Sequence, residues 1–141
     1  MSTGSPRVGG ILETSLYVSD LDQSARFYRE LFGSKELVRD DRLCALSIGS
    51  NQVLLLFRHG ASAKPGVTPG GTIPPHDGHG ELHMAVAIGR EDITRWEERL
   101  RSLNIAIEST VHWPDGGTSL YLRDPDNHSI ELATPGTWEI F

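Results

Sequence analysis

The chain has 141 residues, 38% of them hydrophobic, a formal net charge of −6 and one cysteine. That length holds a single domain with a real core. Evenly mixed acidic and basic residues argue against a protein that tracks nucleic-acid phosphates, and a lone thiol excludes a disulfide framework or a thiolate zinc cage. With no apolar run longer than Val53 to Phe57, the expectation is a soluble, cytoplasmic protein whose partner is a small molecule, not nucleic acid or membrane.

Residues 1–10 are small, polar and Gly-rich and are read as a loose arm. Ile11 to Val18 alternates, with Leu12, Leu16 and Val18 on one face and Glu13, Ser15 and Tyr17 on the other, as in a half-buried strand. Asp20 followed by Gln23 resembles a capping box, and Leu21, Ala25, Tyr28 and Leu31 recur at helical spacing until Gly33 offers a C-terminal cap. Strands are predicted at Glu36 to Arg39, Leu43 to Ile48 and Val53 to Phe57. From Arg58 to Gly80 the hydrophobic period vanishes into Gly, Pro, Ser and Thr, so a long linker is expected.

The second half repeats the order. Glu81 to Ile88 reads as a strand, Ile93, Trp96, Leu100 and Leu103 mark a helix, and Ile105 to Trp113 is strand-like up to the Pro114–Gly117 turn. Ser119 to Thr134 reads as a hairpin: Pro125 presets a turn, Asp124 and Asp126 can bond nearby amides, and Asn127 tolerates the left-handed conformation. Past it, Ile130 and Leu132 share one face and Ser129, Glu131 and Ala133 the other. The fold class expected is α+β: two βαβββ modules, 11–58 and 81–134, joined by linker 59–80 into one domain, 11–134, with a curled mixed sheet around a cavity and a tail at 135–141.

Sliding one half over the other sets Glu13 on His83, 70 residues apart, and Leu55 on Glu131, 76 apart. An internal duplication accounts for both. If the paired modules curl around one pocket, Glu13, His83 and Glu131 converge. Two carboxylates and an imidazole balance a divalent ion and leave positions open for water or substrate. The fourth equivalent position, Leu55, cannot bind a metal.

At this point the chain resembles the vicinal oxygen chelate superfamily of glyoxalase I, fosfomycin-resistance thiol transferases, extradiol dioxygenases and bleomycin-resistance proteins. The resemblance is carried by Leu16 to Leu21 with Phe27-Tyr28 and Leu31-Phe32-Gly33, by Glu81-Leu82-His83, and by Tyr121 through Asp124-Pro125-Asp126-Asn127 to Glu131. It implies metal-ligand positions at Glu13, His83 and Glu131 for Fe, Mn, Ni, Zn or Co, and a homodimer with sites at the subunit interface, Glu13 from one chain and His83 with Glu131 from the other. Many members carry histidine where Glu13 stands, and lactoylglutathione lyases carry glutamate where Leu55 stands.

By strand parity Ser15, Tyr17, Ala45, Ser47, Leu55, Phe57, Ala85, Ala87, Ser119, Tyr121 and Arg123 face the cavity. Of these, Ser15, Tyr17, Ser47, Leu55, Phe57, Ser119 and Arg123, with Arg58 at its strand's end, are candidate substrate contacts; Glu131 and Tyr121 are candidate catalytic groups. Tyr121 either donates a proton or hydrogen bond, or packs with its hydroxyl at the rim; Arg58 holds an anion or is a surface arginine. His59, His76 and His79 are expected to be solvated, and His128 to cap the turn or face solvent. Trp96 and Trp113 are read as packing residues, and Trp138, Ile140 and Phe141 as a tail that packs on a partner subunit or over the cavity mouth. The expected function is a metal-dependent lyase, isomerase, thiol transferase or dioxygenase acting on a small oxygen-chelating substrate; the alternative is a metal-free small-molecule binding protein of the bleomycin-resistance type.

Overall fold

A computed structural model describes residues 4–141. The first half runs β1 (Glu13–Val18), α1 (Leu21–Phe32), β2 (Glu36–Arg39), β3 (Leu43–Ile48) and β4 (Gln52–Arg58). After β5 (Gly66–Thr68) and β6 (Gly71–Ile73) come β7 (His83–Ala87), a 3-10 turn at Arg90–Asp92, α2 (Ile93–Ser102), β8 (Ser109–His112), β9 (Thr118–Arg123) and β10 (Ser129–Ala133). The sheets have orders β1-β4-β3-β2 and β7-β10-β9-β8, so the duplication is visible in the topology. In each, the first and last strands pair in parallel across a helical crossover and the others pair antiparallel.

Local chemistry sets the first module's limits. Asp20 accepts the Gln23 N–H at 3.0 Å as the N-cap of α1, and Gly33 ends the helix at φ 64°, its N–H closing on the Arg29 carbonyl. The buried stripe of α1 is Leu21, Ala25, Tyr28 and Leu31. It joins Leu16, Val18, Leu46, Leu54 and Leu56 of the first sheet and Leu100, Leu120, Leu122, Ile130 and Leu132 of the second half in one continuous core. Each such leucine taken from water contributes roughly 1.5–3 kcal/mol. Cys44 is buried in this core, as its small apolar character implies.

Three expectations are corrected. The linker carries the β5–β6 hairpin, turned at Pro69-Gly70 and tied by Thr68 Oγ1–H to the Gly71 carbonyl; its two three-residue strands are too short to show a period. The strand expected from Ile105 begins only at Ser109, because the Ile105 N–H closes back on the Leu100 carbonyl at the end of α2. His128 is fully buried: its Nδ1 accepts the Leu82 N–H at 2.8 Å and its Nε2–H donates to the Tyr17 carbonyl at 2.8 Å, joining the two halves. Around it, Tyr28 donates to Asp124 at 2.7 Å, and Asp126 accepts the Ser19 N–H at 3.0 Å rather than a neighbouring amide. Asn127 takes φ 65°, as expected of that turn.

The loose-arm reading of residues 1–3 lies outside the described residues; Gly4 to Gly10 are exposed and irregular. Trp138, Ile140 and Phe141 are 76%, 83% and 68% exposed, so in the single chain the tail does not pack. Among the described residues no helix is long and apolar enough to cross a membrane.

Candidate functional site

The inner face of the second sheet gathers His83, Ser119, Tyr121 and Glu131. Glu131 sits mid-β10 between Tyr121 of β9 and Ala85 of β7 in register, and His83 opens β7 beside Ser129. Alternation sends Ile130 and Leu132 to the core and Glu131 to the opposite face, yet only 7% of Glu131 is exposed.

Its two oxygens have different environments. Ser119 Oγ–H donates to Glu131 Oε2 at 2.5 Å, and Ser119 Oγ accepts Trp113 Nε1–H at 2.8 Å. Glu131 Oε1 lies 3.3 Å from His83 Nε2. His83 Nδ1 faces the Ser129 carbonyl at 2.9 Å, an acceptor only, so the proton of the neutral ring sits on Nδ1 and the Nε2 lone pair faces the carboxylate. Two lone pairs so placed repel unless a proton or a cation lies between them.

Tyr121 stacks against His83 with ring centroids 6.4 Å apart and planes at 26°. Burial, then the negative charge of Glu131, push the Tyr121 phenol above its ordinary value. It therefore stays protonated and able to donate. Trp113, expected only to pack, holds Ser119 in place; it shares the alternation of Ser109 and Val111, which pair with Tyr121 and Ser119, and that parity was the available signal.

Glu13 stands apart. It is exposed on the first sheet and lines a small hollow of about 40 Å³ with Val53 and with Met84, Ala85 and Val86 of β7. Among the described residues of one chain, no three His, Cys, Asp or Glu side chains are grouped to hold a metal. Ser15 and Leu55 are half-buried register partners on the first sheet's inner face, with Ala45 beyond Leu55.

Other candidates are already engaged. Ser47 Oγ accepts the Lys35 N–H at 2.9 Å. Arg123 is clamped by both Glu108 oxygens at 2.7 and 3.3 Å and donates to the Asn127 carbonyl. Arg58 donates to the Asp41 carbonyl and lines a separate surface hollow with Ser19 to Asp22 and Arg39 to Asp41. Tyr17 and Phe57 are buried beneath the linker, and His76, expected to be solvated, is exposed yet held: its Nδ1 lies 2.7 Å from the Tyr17 hydroxyl.

Paired βαβββ modules with an imidazole and a carboxylate on one inner face define a class of proteins built around a cupped sheet. The chain belongs to the glyoxalase/bleomycin resistance protein/dioxygenase superfamily, whose family model matches residues 10–132. A solved structure of lactoylglutathione lyase from Agrobacterium tumefaciens is 31% identical and superimposes with a TM-score of 0.86 over 95% of this chain and 99% of that one. A metallothiol transferase, FosB, of Bacillus licheniformis is 28% identical over 94% of this chain and 80% of its own length. The fosfomycin resistance protein FosX of Listeria monocytogenes is 27% identical over 94% and 93% respectively.

Proposed function

We propose that this chain is a metal-dependent enzyme acting on a small molecule that presents adjacent oxygens, and that its ion is held by His83 and Glu131 of one subunit and Glu13 of a second. The observation that carries this reading is the placement of the His83 ring: Nδ1 lies 2.9 Å from the Ser129 carbonyl, which can accept its proton in a hydrogen bond, and Nε2 lies 3.3 Å from Glu131 Oε1, the outer-sphere support that metal-binding histidines ordinarily have. The donor set fits, since one imidazole and two carboxylates suit a borderline divalent ion such as Fe, Mn, Co, Ni or Zn. Such an ion would supply Lewis-acid polarisation of a substrate oxygen.

The protein's own groups have separable roles. Ser119, fixed by Trp113, occupies Glu131 Oε2 and leaves Oε1 for the ion. Tyr121 offers a neutral hydroxyl that can hydrogen-bond to, or protonate, a developing oxyanion. Leu55, where the duplication would put a second Glu131, leaves that side to the substrate. The names of the relatives, a lyase and a metallothiol transferase among them, support metal-assisted chemistry on small molecules.

The homodimer reading is supported by apolar Ile11 and Leu12, exposed immediately before Glu13, and by exposed Val8 upstream of them. A mixed dimer of Glu13→Gln and His83→Ala subunits tests this. Ligands crossing the interface leave one of its two sites intact; ligands from one chain leave none.

The second reading is metal-free binding, in which a protonated His83 satisfies Glu131 across the same 3.3 Å. Metal analysis of untagged protein, wild type against Glu131→Gln, separates the two. Stoichiometric metal lost in the variant supports the enzyme; no metal after reconstitution with Fe(II), Mn, Ni, Co or Zn supports the binding protein.

A further inference from the structure

The linker is fastened across one end of the first sheet's inner face. His76 N–H donates to the Ser62 carbonyl at 3.0 Å and Ser62 Oγ–H returns to the His76 carbonyl at 2.7 Å. The His76 ring stands edge-on to Phe57, with centroids 4.7 Å apart at 81°, and to Tyr17 at 5.8 Å and 62°. The Tyr17 hydroxyl and His76 Nδ1 share a hydrogen bond at 2.7 Å, and burial, then the charge of Asp77, raise the Tyr17 phenol. Gly78 lies so close to Tyr17 that a β-carbon there would fall 2.4 Å from the ring. Only glycine allows that approach.

The outcome is a gradient along β1 and β4. Glu13 is exposed, Ser15 and Leu55 are half-buried, and Tyr17 and Phe57 are each 8% exposed. The inner face is open at the Glu13 end and shut at the aromatic end. In the second module the equivalent positions are Ala87 and Ala133, which carry no rings.

We infer that His76 is a specificity-determining residue: seated on Tyr17 and Phe57, the linker walls off one end of the cavity and sets the length of substrate that fits beyond the oxygens bound near Glu131. This rests on the metal-dependent reading above, because the length is measured from the metal-bound head. An apolar tail laid over Leu55 gains affinity about fourfold with each methylene buried. The gain ends where the tail meets the wall.

Straight-chain alkyl hydroxamates, which chelate through two adjacent oxygens and carry a tail of chosen length, probe this directly. Acetohydroxamate to dodecanohydroxamate are titrated calorimetrically into zinc-loaded wild type, His76→Ala and Gly78→Ala. In wild type the affinity is expected to climb about fourfold per methylene and then level or fall. In both variants the climb continues, giving the long members at least about a tenfold advantage over wild type while acetohydroxamate binds all three alike. The same chain-length profile in wild type and both variants overturns the inference. If no hydroxamate binds zinc-loaded wild type, the metal reading fails, and the wall is then judged by an apolar fluorescent dye, toluidinonaphthalene sulfonate. Dye emission that rises severalfold in the variants at an unchanged melting temperature supports a wall lifted from Tyr17 and Phe57; unchanged emission overturns it.

Discussion

Ser119→Ala tests the proposed site without touching a metal ligand. The substitution removes the donor 2.5 Å from Glu131 Oε2 and leaves Trp113 Nε1–H without its acceptor. A hydrogen bond to a charged group is worth about 1.5–3 kcal/mol, and here the acceptor is only 7% exposed, so water replaces it poorly. About 2 kcal/mol expressed at the ion is roughly a thirtyfold loss of affinity, inside the roughly 10–100-fold range of outer-sphere substitutions. Competition against a chelating fluorophore measures it, with Glu131→Gln, which removes a ligand, as the reference for complete loss. Metal binding within about twofold of wild type in Ser119→Ala, beside abolished binding in Glu131→Gln, would refute the positioning role of Ser119. Equal binding by all three proteins would refute the metal site.

Leu55→Glu restores a carboxylate at the fourth equivalent position and should tighten metal binding at least tenfold, about 1.4 kcal/mol by calorimetry, while lowering affinity for an apolar-tailed ligand. His128→Ala strands the Leu82 N–H and the Tyr17 carbonyl inside the core and should cost roughly 2–5 kcal/mol in urea unfolding; a loss below about 1 kcal/mol would show that the two halves do not depend on it. Burial, then the neighbouring Asp124, hold the Tyr28 phenol well above its ordinary value. Unfolded Tyr28 ionises near pH 10 or about there while the native one does not, so stability is flat below that pH and falls above it. Tyr28→Phe should lower the urea midpoint at pH 8 through the lost bond to Asp124 and flatten the decline between about pH 9.5 and 11.

Much of this was legible in the chain. Strand-forming runs bounded by turn residues placed β2 and β3 at their observed limits, and period-two alternation sent Glu131 and Tyr121 to the face opposite Ile130 and Leu132, because a strand's two sides are fixed by count alone. Asn127 and Gly33 announced their left-handed turns. His128 was misread although the same count puts it with Ile130 and Leu132 on the core side; its polarity hid that, and only the two buried backbone groups it satisfies explain it. His76 meets Tyr17 across 59 residues of sequence, and a long-range contact made by an aperiodic segment leaves no local pattern to read. The same holds for Glu13, whose proposed ligand role depends on a second chain.

The buried His128 also bears on what the duplication has become. Its bond to Tyr17, with Tyr28 on Asp124 and Ser19 on Asp126, plants the turn of one copy in the heart of the other. The two copies have surrendered their autonomy: both contribute to one buried core, so neither half retains a closed interior once the other is gone. A protease that nicks the exposed β5–β6 hairpin would cut the chain without parting the halves. What began as repetition survives as mutual dependence, and the connecting segment, relieved of holding the copies together, is tied instead to the aromatic end of the cavity it borders, through His76 on Tyr17 and Phe57.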